Sequence, residues 1–218
     1  MTQRQGRLAG PVVVLASSSP RRRELLSAIG LAFVVRPTAI DESVRDHEAP
    51  EEHVRRLALD KARAAGAAGE LVLAADTVVV LDGLIYGKPA DAEDAIRMLG
   101  RLQGREHQVL TGVALRAVGE DGERVAYGMA ASAVRLRPLG AEEIAWYVAT
   151  GEPADKAGAY ALQGIGGLFV DAIQGSSSNV IGLPLGLVYE LFSELGHDLR
   201  DFRREQESDP AVDTLPPP

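Results

Sequence analysis

Short apolar runs alternate along this chain with segments in which apolar side chains recur at helical spacing. In the first half, residues 12–15, 33–36 and 71–81 are apolar runs of strand length, and they predict three strands. Residues 20–29 and 50–68 carry leucine, valine, isoleucine and alanine at three- and four-residue intervals, which predicts two helices between those strands. The half ends at the dipeptide Asp82-Gly83, which is typical of a hairpin turn into a short strand over residues 84–86.

The second half continues the alternation. Asp91 is a favourable N-cap for a helix that Gly104 ends. Two long strands are predicted around the turn Glu120-Asp121-Gly122. The two strands span residues 109–118 and 125–136. A helix over residues 141–149, a strand over 168–173 and a final helix over 184–195 are predicted after them.

The order of these elements favours an α/β fold over a helix bundle or a β-sandwich. The chain shows no internal repeat and no linker long enough to divide it, so we expect one domain over residues 10–202, built as two lobes facing a cleft. Residues 203–218 are charged and then proline-rich, which predicts a disordered tail.

Composition narrows the possible functions. The 218 residues are 46% hydrophobic, which is enough for a full core, and the net charge of -8 disfavours general nucleic-acid binding. The absence of cysteine excludes disulfides, thiolate nucleophiles and cysteine-ligated zinc. No apolar run has membrane-spanning length and the first residues lack a signal peptide, so a cytoplasmic protein without a membrane partner is expected. The four histidines lack metal-ligand spacing, which disfavours a histidine-built metal site.

The junction between the first strand and the first helix is the most informative segment. Ser17 and Ser19 lead into Pro20, which suits the first helical position, and Arg21 begins a run of three arginines. The N–H groups of a helix start and arginine side chains both bind anions, so a phosphate ester is the expected ligand. The alternative is an ordinary Ser-Pro helix start with solvated arginines.

A carboxylate interrupts the apolar run of the third strand. Asp76 is expected either to be paired in a turn or bulge or to project into a cleft as a general base or metal ligand. Lys88 follows the hairpin beside this strand. It is either a solvated turn residue or a cation that neutralises phosphate charge next to Asp76.

Residues 151–167 are rich in glycine, which lets backbone approach a ligand closely. Asp155, Lys156 and Gln163 supply hydrogen-bonding groups of three kinds, and the Gln163 amide suits a nucleobase edge. The spacing matches neither a Walker A loop nor a dinucleotide fingerprint. A flexible surface loop is the alternative.

Taken together, these segments resemble the Maf family of nucleoside triphosphate pyrophosphatases, in family order from Val13 to about Leu195. The matching motifs are S-x-S-P-R-R at residues 17–22, D-E at 41–42, K-A at 61–62, A-D-T-V-V at 75–79, G-K-P at 87–89, L-x-G-x-x-H-x-V-x-T-G-V at 102–113, E-P-x-D-K-A-G-A-Y-x-x-Q-G at 152–164 and N-V-x-G-L-P at 179–184. One position departs from the family, because Ser177 stands where a tyrosine is common, and this affects the packing of that loop.

The resemblance implies a fold similar to inosine triphosphate pyrophosphatase, with two lobes around an elongated mixed sheet and a central cleft. It also implies hydrolysis of a nucleoside triphosphate between the α and β phosphorus atoms. Mg²⁺ or Mn²⁺ would be held by Glu42 and Asp76. Asp76 would accept the proton of the attacking water, and the leaving pyrophosphate would be stabilised by Lys61, Lys88, Lys156 and Arg21.

Within the family, Arg21, Thr77 and Gln163 resemble the branch that prefers dTTP and UTP, with modified pyrimidine nucleotides as further substrates in a house-cleaning role. Two alternatives stay open. One is a pyrophosphatase for purine nucleotides or 7-methyl-GTP, and the other is a nucleotide-binding regulator of septum formation. Family members are often dimeric, which makes a homodimer the expected assembly, although the sequence shows no interface.

Overall fold

A computed structural model describes residues 11–119 and 122–203 of the chain. Glu120 and Asp121 of the predicted turn lie outside the described residues. The predicted tail also lies outside them except for its first residue, Arg203, which forms an isolated antiparallel bridge with Leu31.

One mixed sheet of seven strands runs through the described part of the molecule. Its order is β2-β1-β3-β5-β6-β7, and β4 pairs with β3 alone. The pairs of β1 with β2 and with β3 are parallel, and all other pairs are antiparallel. The strands are β1 (Val12–Leu15), β2 (Val34–Val35), β3 (Glu70–Leu81), β4 (Leu84–Tyr86), β5 (Glu106–Gly119), β6 (Gly122–Leu136) and β7 (Val170–Gln174).

Helices cover both faces of this sheet. The predicted cap of α3 is confirmed, because the Asp91 carboxylate accepts from the backbone N–H of Asp94 at 2.8 Å. The helices are α1 (Pro20–Ala28), α2 (Pro50–Ala65), α3 (Ala92–Leu102), α4 (Ala141–Ala149), α5 (Ser177–Ile181) and α6 (Leu185–Glu194), and short 3-10 helices occupy Glu152–Asp155, Ala157–Ala159, Ile165–Phe169 and Leu199–Phe202.

The two largest apolar clusters of the described residues lie at opposite ends of the long strands. One joins the first half of β3 and the second half of β5 to α1 and α6 through residues such as Leu73, Leu115 and Phe192. The other joins the opposite ends of the same strands to α3 and α4 through residues such as Leu99 and Tyr147. The α/β fold with two lobes on an elongated mixed sheet is therefore confirmed.

Local differences from the sequence prediction have local causes. The strand predicted over residues 168–173 starts two residues later, because Ile165–Phe169 forms a 3-10 helix. Helix α5 was not predicted, since five residues are too few to show a periodicity. Its first turn is instead stabilised by the Ser176 hydroxyl, which accepts from the N–H of Asn179 at 3.3 Å. No helix in the described ranges has the length and apolar character needed to cross a membrane.

Candidate active site

A gap in strand pairing on one edge of β3 creates the site. On this edge β3 pairs with β1 only as far as Leu73, and it pairs with β4 only from Val79 onward. Residues 74–78 therefore have no strand neighbour on that side among the described residues. Successive side chains of a strand point to opposite faces, so Asp76 faces α2, and Thr77 faces α1 and the Gly182 carbonyl that follows α5. Groups from both faces of the sheet can meet at this gap.

A cavity of about 540 Å³ lies at the gap. Every site residue chosen from the sequence lines it, which brings together residues separated by up to 146 positions in the chain, from Ser17 to Gln163. These residues are Ser17, Ser19, Arg21, Glu42, Lys61, Asp76, Thr77, Lys88, Asp155, Lys156 and Gln163.

The start of α1 forms one wall of the cavity. Ser19 holds the N-cap position as predicted, but its hydroxyl caps no backbone N–H in α1. The Ser17 hydroxyl instead accepts from the N–H of Ser19 at 3.2 Å and from Nη1 of Arg22 at 3.2 Å. The first turn of α1 is thus left without a side-chain cap at the cavity wall, which is the arrangement that a bound anion can complete.

Arg22 fixes this wall to the sheet. Its Nε donates to the carbonyl of Gly182 at 2.8 Å, and its Nη2 donates to the hydroxyl of Thr77 at 3.1 Å. Burial lowers the pKa of the Arg22 guanidinium, although the nearby charge of Asp76 acts in the opposite direction. All its hydrogen-bond partners in the described chain are neutral. A positive charge so placed favours an anion in the cavity.

Lys61 joins the two acidic groups of the site. Its ammonium lies 2.8 Å from Oδ1 of Asp76 and 2.7 Å from Oε1 of Glu42. Lys61 and Asp76 are 6% and 7% exposed, whereas the Glu42 side chain is 47% exposed. Burial alone would raise the pKa of Glu42, but the hydrogen bond and charge of Lys61, with Lys88 and Arg22, hold that pKa below its ordinary value. Glu42 is therefore an ionised group at the open side of a buried ion pair.

A glycine on β5 allows α2 to bring Lys61 this close. Gly112 pairs with Asp76 in the antiparallel ladder. A Cβ at Gly112 would lie 2.5 Å from the carbonyl oxygen of Val54 in α2, well inside van der Waals contact. The absence of a side chain at Gly112 thus lets the helix lie directly on the sheet.

The opposite wall carries Lys88 and Lys156 on adjacent loops. The N–H of Gly158 donates to the carbonyl of Gly87 at 3.0 Å, which joins the two loops. Gly158 has a φ of +69° and approaches β3 so closely that a Cβ would lie 2.8 Å from Val79. Lys156 forms an ion pair with Asp155.

Asp155 also links this wall to α1. Its Oδ2 accepts a hydrogen bond from Nη1 of Arg21 at 3.4 Å, and its backbone carbonyl accepts one from Nη2 of Arg21 at 3.4 Å. Burial acts to raise the pKa of Asp155, but Lys156 and Arg21 hold it below its ordinary value. Arg21 thereby spans the cavity mouth between the two lobes.

Gln163 lies on a bend that leads into the 3-10 helix Ile165–Phe169, whose first N–H groups are bound by Glu152. The Glu152 carboxylate accepts from the N–H groups of Ile165 and Gly166 at 2.9 Å each, and the Tyr147 hydroxyl donates to it at 2.9 Å. Among described residues, the Gln163 side chain has no hydrogen-bond partner, so its amide is available to a ligand.

The chain is similar to known proteins over most of its length. A family model described as Maf-like protein matches residues 12–195. The chain belongs to the Maf family.

Several curated relatives are similar over most of their length. A protein of Anaeromyxobacter sp. (strain Fw109-5) is 57% identical over 86% of this chain and 91% of its own. Proteins of Symbiobacterium thermophilum and Methylococcus capsulatus are 50% and 52% identical, covering 86% and 84% of this chain and 95% and 91% of their own. All three carry the name dTTP/UTP pyrophosphatase. Among solved structures, the Staphylococcus aureus Ham1 protein aligns with a TM-score of 0.41 and 19% identity over 57% of this chain and 71% of its own.

The structure adds residues to the Maf site that the sequence analysis did not select. Arg22 lines the cavity where it binds Thr77 and Gly182, while Arg21 lines it where it binds Asp155. Behind Thr77, the Thr111 hydroxyl lies 3.0 Å from the Thr77 hydroxyl, and it donates to the Asn179 carbonyl at 3.2 Å. Asn179 in turn donates to the Val109 carbonyl at 3.0 Å. Arg22, Thr111 and Asn179 all lie within the sequence motifs of the family. A motif, however, does not show which of its residues lie at the cavity.

Glu42 and Asp76 are the acidic side chains expected to bind a divalent cation. In residues 11–119 and 122–203, no three acidic or histidine side chains come together as a preformed metal site. Glu42 and Asp76 supply two hard oxygen ligands near one ammonium. Mg²⁺ commonly binds to one or two carboxylates and completes its shell with water and substrate phosphates. The two carboxylates fit a cation that binds together with a triphosphate.

Proposed function

We propose that this chain is a nucleoside triphosphate pyrophosphatase that hydrolyses dTTP and UTP to the monophosphate and pyrophosphate. The observation that carries the proposal is the Lys61 bridge between Asp76 and Glu42, inside a cavity lined by four further cationic side chains. The names of the curated relatives support the same activity.

Asp76 is the proton acceptor in this proposal. Lys61 binds Oδ1, and Oδ2 has no hydrogen-bond partner in the described part of the chain. The Lys61 contact orients the carboxylate and keeps one oxygen available for the proton of an attacking water. Such a positioned base typically contributes about 10²- to 10⁴-fold to the rate.

The cationic side chains stabilise the charge that grows on the leaving pyrophosphate. Lys61 approaches from α2, Arg22 from α1, Lys88 and Lys156 from the opposite wall, and Arg21 from the mouth of the cavity. Phosphoryl chemistry depends mainly on such positioning and charge stabilisation, so this arrangement suits the reaction. Mg²⁺ or Mn²⁺ held by Glu42 and Asp76 would neutralise further phosphate charge when bound.

Base recognition is assigned to Gln163, with Arg21 and Thr77 in supporting roles. The free amide of Gln163 offers a donor to the O4 or O2 of thymine and uracil. The Thr77 hydroxyl is already engaged by Arg22 and Thr111, so Thr77 acts by orienting Arg22.

The proposal includes modified pyrimidine nucleotides, and it places the enzyme in the cytoplasm, where these substrates are made. The homodimer and the absence of a nucleic-acid partner stay predictions from sequence.

The test is pyrophosphate release from dTTP, UTP, CTP, GTP and 7-methyl-GTP with Mg²⁺. The proposal requires kcat/KM for dTTP and UTP to exceed the other values by at least about tenfold, since one unmet buried polar group costs about 1 to 3 kcal/mol. A preference for GTP or 7-methyl-GTP would instead support the purine alternative. Tight nucleotide binding without any hydrolysis would support the regulator of septum formation.

A further inference from the structure

Glu42 lies on a long loop that needs an anchor. Residues 36–49 connect β2 to α2 without any helix or strand. Loops of this length are mobile unless side chains fasten them, yet Glu42 meets Lys61 at 2.7 Å. Other contacts of the loop must therefore hold Glu42 in this position.

A buried cluster of three side chains lies at the end of that loop. Oε1 and Oε2 of Glu48 accept from Nε and Nη2 of Arg56 at 2.6 and 2.8 Å, and Oε2 lies 2.9 Å from Nδ1 of His53. The side chains of Glu48, His53 and Arg56 are only 7%, 4% and 13% exposed. The hydrogen bonds of Arg56, opposed by burial, hold the pKa of Glu48 far below its ordinary value, so the cluster contains a buried charge pair.

The cluster binds the loop directly after Glu42. Nη2 of Arg56 donates to the carbonyl of Ser43 at 2.9 Å, and the N–H of Arg45 donates to Oε2 of Glu48 at 3.1 Å. Around Glu42 itself, the N–H of Ser43 donates to the Asp41 carboxylate at 2.9 Å, which closes a local turn. The backbone that carries Glu42 is thus attached to the first turns of α2, the same helix that carries Lys61.

Stability alone gives no reason for this arrangement. A buried ion pair is often no more stabilising than apolar side chains of similar volume, because desolvation of the charges offsets their attraction. The chain also adopts a φ of +59° at His47, beside Glu48, which an L-residue adopts at some cost. Buried ion pairs and unfavourable backbone conformations commonly occur where they hold one geometry at a functional site.

We infer that Arg56 and Glu48 are positioning residues, which hold Glu42 against Lys61 through the Ser43 carbonyl and the Arg45 N–H. This inference rests on the proposed function, in which Glu42 acts in the chemical step. Neither Arg56 nor Glu48 touches the substrate in this assignment.

The test is Arg56→Lys, with Arg36→Lys as its matched control. Lysine keeps the positive charge but cannot bind both Glu48 oxygens and the Ser43 carbonyl. Arg36 makes the same type of contact at the first residue of the loop, six positions before Glu42, to both oxygens of Glu70 at 2.6 and 2.9 Å and to the Ala65 carbonyl at 2.6 Å. Its backbone N–H also donates to the Leu15 carbonyl at 3.0 Å, which keeps that end of the loop in place without the side chain. Both variants therefore lose a bidentate pair and a carbonyl bond, but only Arg56→Lys releases the segment around Glu42.

Activity is measured as a double-mutant cycle with Glu42→Gln. We expect Arg56→Lys to lower kcat for dTTP by about 10- to 100-fold with less than a threefold change in KM, since a displacement of about 1 Å can cost 10²-fold. On the Glu42→Gln background the same change should lower kcat less than threefold. An equal loss on both backgrounds would overturn the inference, because a general loss of structure acts whether or not Glu42 is present. Arg36→Lys should leave kcat within about threefold of wild type.

Hydrogen exchange of the amides in residues 41–48 provides a measurement that does not depend on turnover. Arg56→Lys should speed this exchange by about tenfold or more, and Arg36→Lys should not. Unchanged exchange in Arg56→Lys would show that the cluster does not hold the loop. If the wild type hydrolyses none of the nucleotides, the proposed function fails, while the exchange result still decides whether the cluster fixes the Glu42 segment.

Discussion

Replacing Gly112 with alanine tests whether the close contact of α2 with the sheet sets the catalytic geometry. The new Cβ would lie 2.5 Å from the Val54 carbonyl oxygen, 2.8 Å from its carbon and 3.2 Å from the Tyr127 hydroxyl. A carbon and a carbonyl oxygen normally stay about 3.3 Å or more apart, so α2 must move by roughly 0.8 Å. Overpacking of this kind costs about 1 to 3 kcal/mol, which corresponds to a drop in Tm of about 2 to 12 °C for a chain of this size.

The effect on activity follows from the position of Lys61, two helical turns after Val54 in the same helix. A displaced α2 carries the Lys61 ammonium away from Asp76, where it now lies at 2.8 Å. Because a misplacement of about 1 Å can cost 10²-fold, we expect kcat for dTTP to fall by about 10- to 100-fold. KM should change less, since the atoms nearest to the new Cβ belong to Val54 and Tyr127 and not to the α1 wall or the Lys88 loop.

The assay is pyrophosphate release with dTTP and Mg²⁺, together with thermal unfolding. Gly100→Ala is the matched control, because Gly100 lies inside α3 and a Cβ there meets nothing within 4 Å. That control should gain about 0.5 to 1 kcal/mol from the higher helix propensity of alanine and keep wild-type kcat. Wild-type kcat and Tm in Gly112→Ala would refute the argument that this close approach positions Lys61.

Three further substitutions test the proposed roles of single groups. Asp76→Asn should lower kcat at least 10²-fold while nucleotide binding by calorimetry and the Tm persist, and retention of more than about a tenth of the wild-type rate would exclude Asp76 as the proton acceptor. Lys88→Ala should lower kcat for dTTP far more than it raises KM, because its charge is matched to the transition state; an effect on KM alone would make it an ordinary phosphate ligand. Gln163→Glu should lower kcat/KM for dTTP and UTP by about 10- to 100-fold and for CTP and GTP by less, whereas equal losses on all four would assign Gln163 to loop structure.

The sequence determined the element types and the candidate site to a large extent, because these depend on local signals. The apolar run of β3, the Asp91 cap and the Asp82-Gly83 turn each lie within a few residues, and the structure agrees with all three. The family motifs also selected eleven residues that all line one cavity. Local patterns failed where they were short, as in α5, or where a distant group decided the conformation. The 3-10 helix before β7 is such a case, since Glu152 binds the N–H groups of Ile165 and Gly166.

The tertiary structure alone decided how these groups act together. The gap on the edge of β3 exists because β1 ends before Asp76 and β4 begins after it, and strand register is a property of pairing between distant segments. The choice of Arg22 as the enclosed arginine likewise depends on Thr77 and Gly182, which lie far along the chain. Hydrophobic spacing identifies which face of an element is buried, but it does not state which partner that face meets. The contacts between Lys61, Asp76 and Glu42 are therefore set by packing across the fold, through Gly112 and the Glu48–Arg56 cluster.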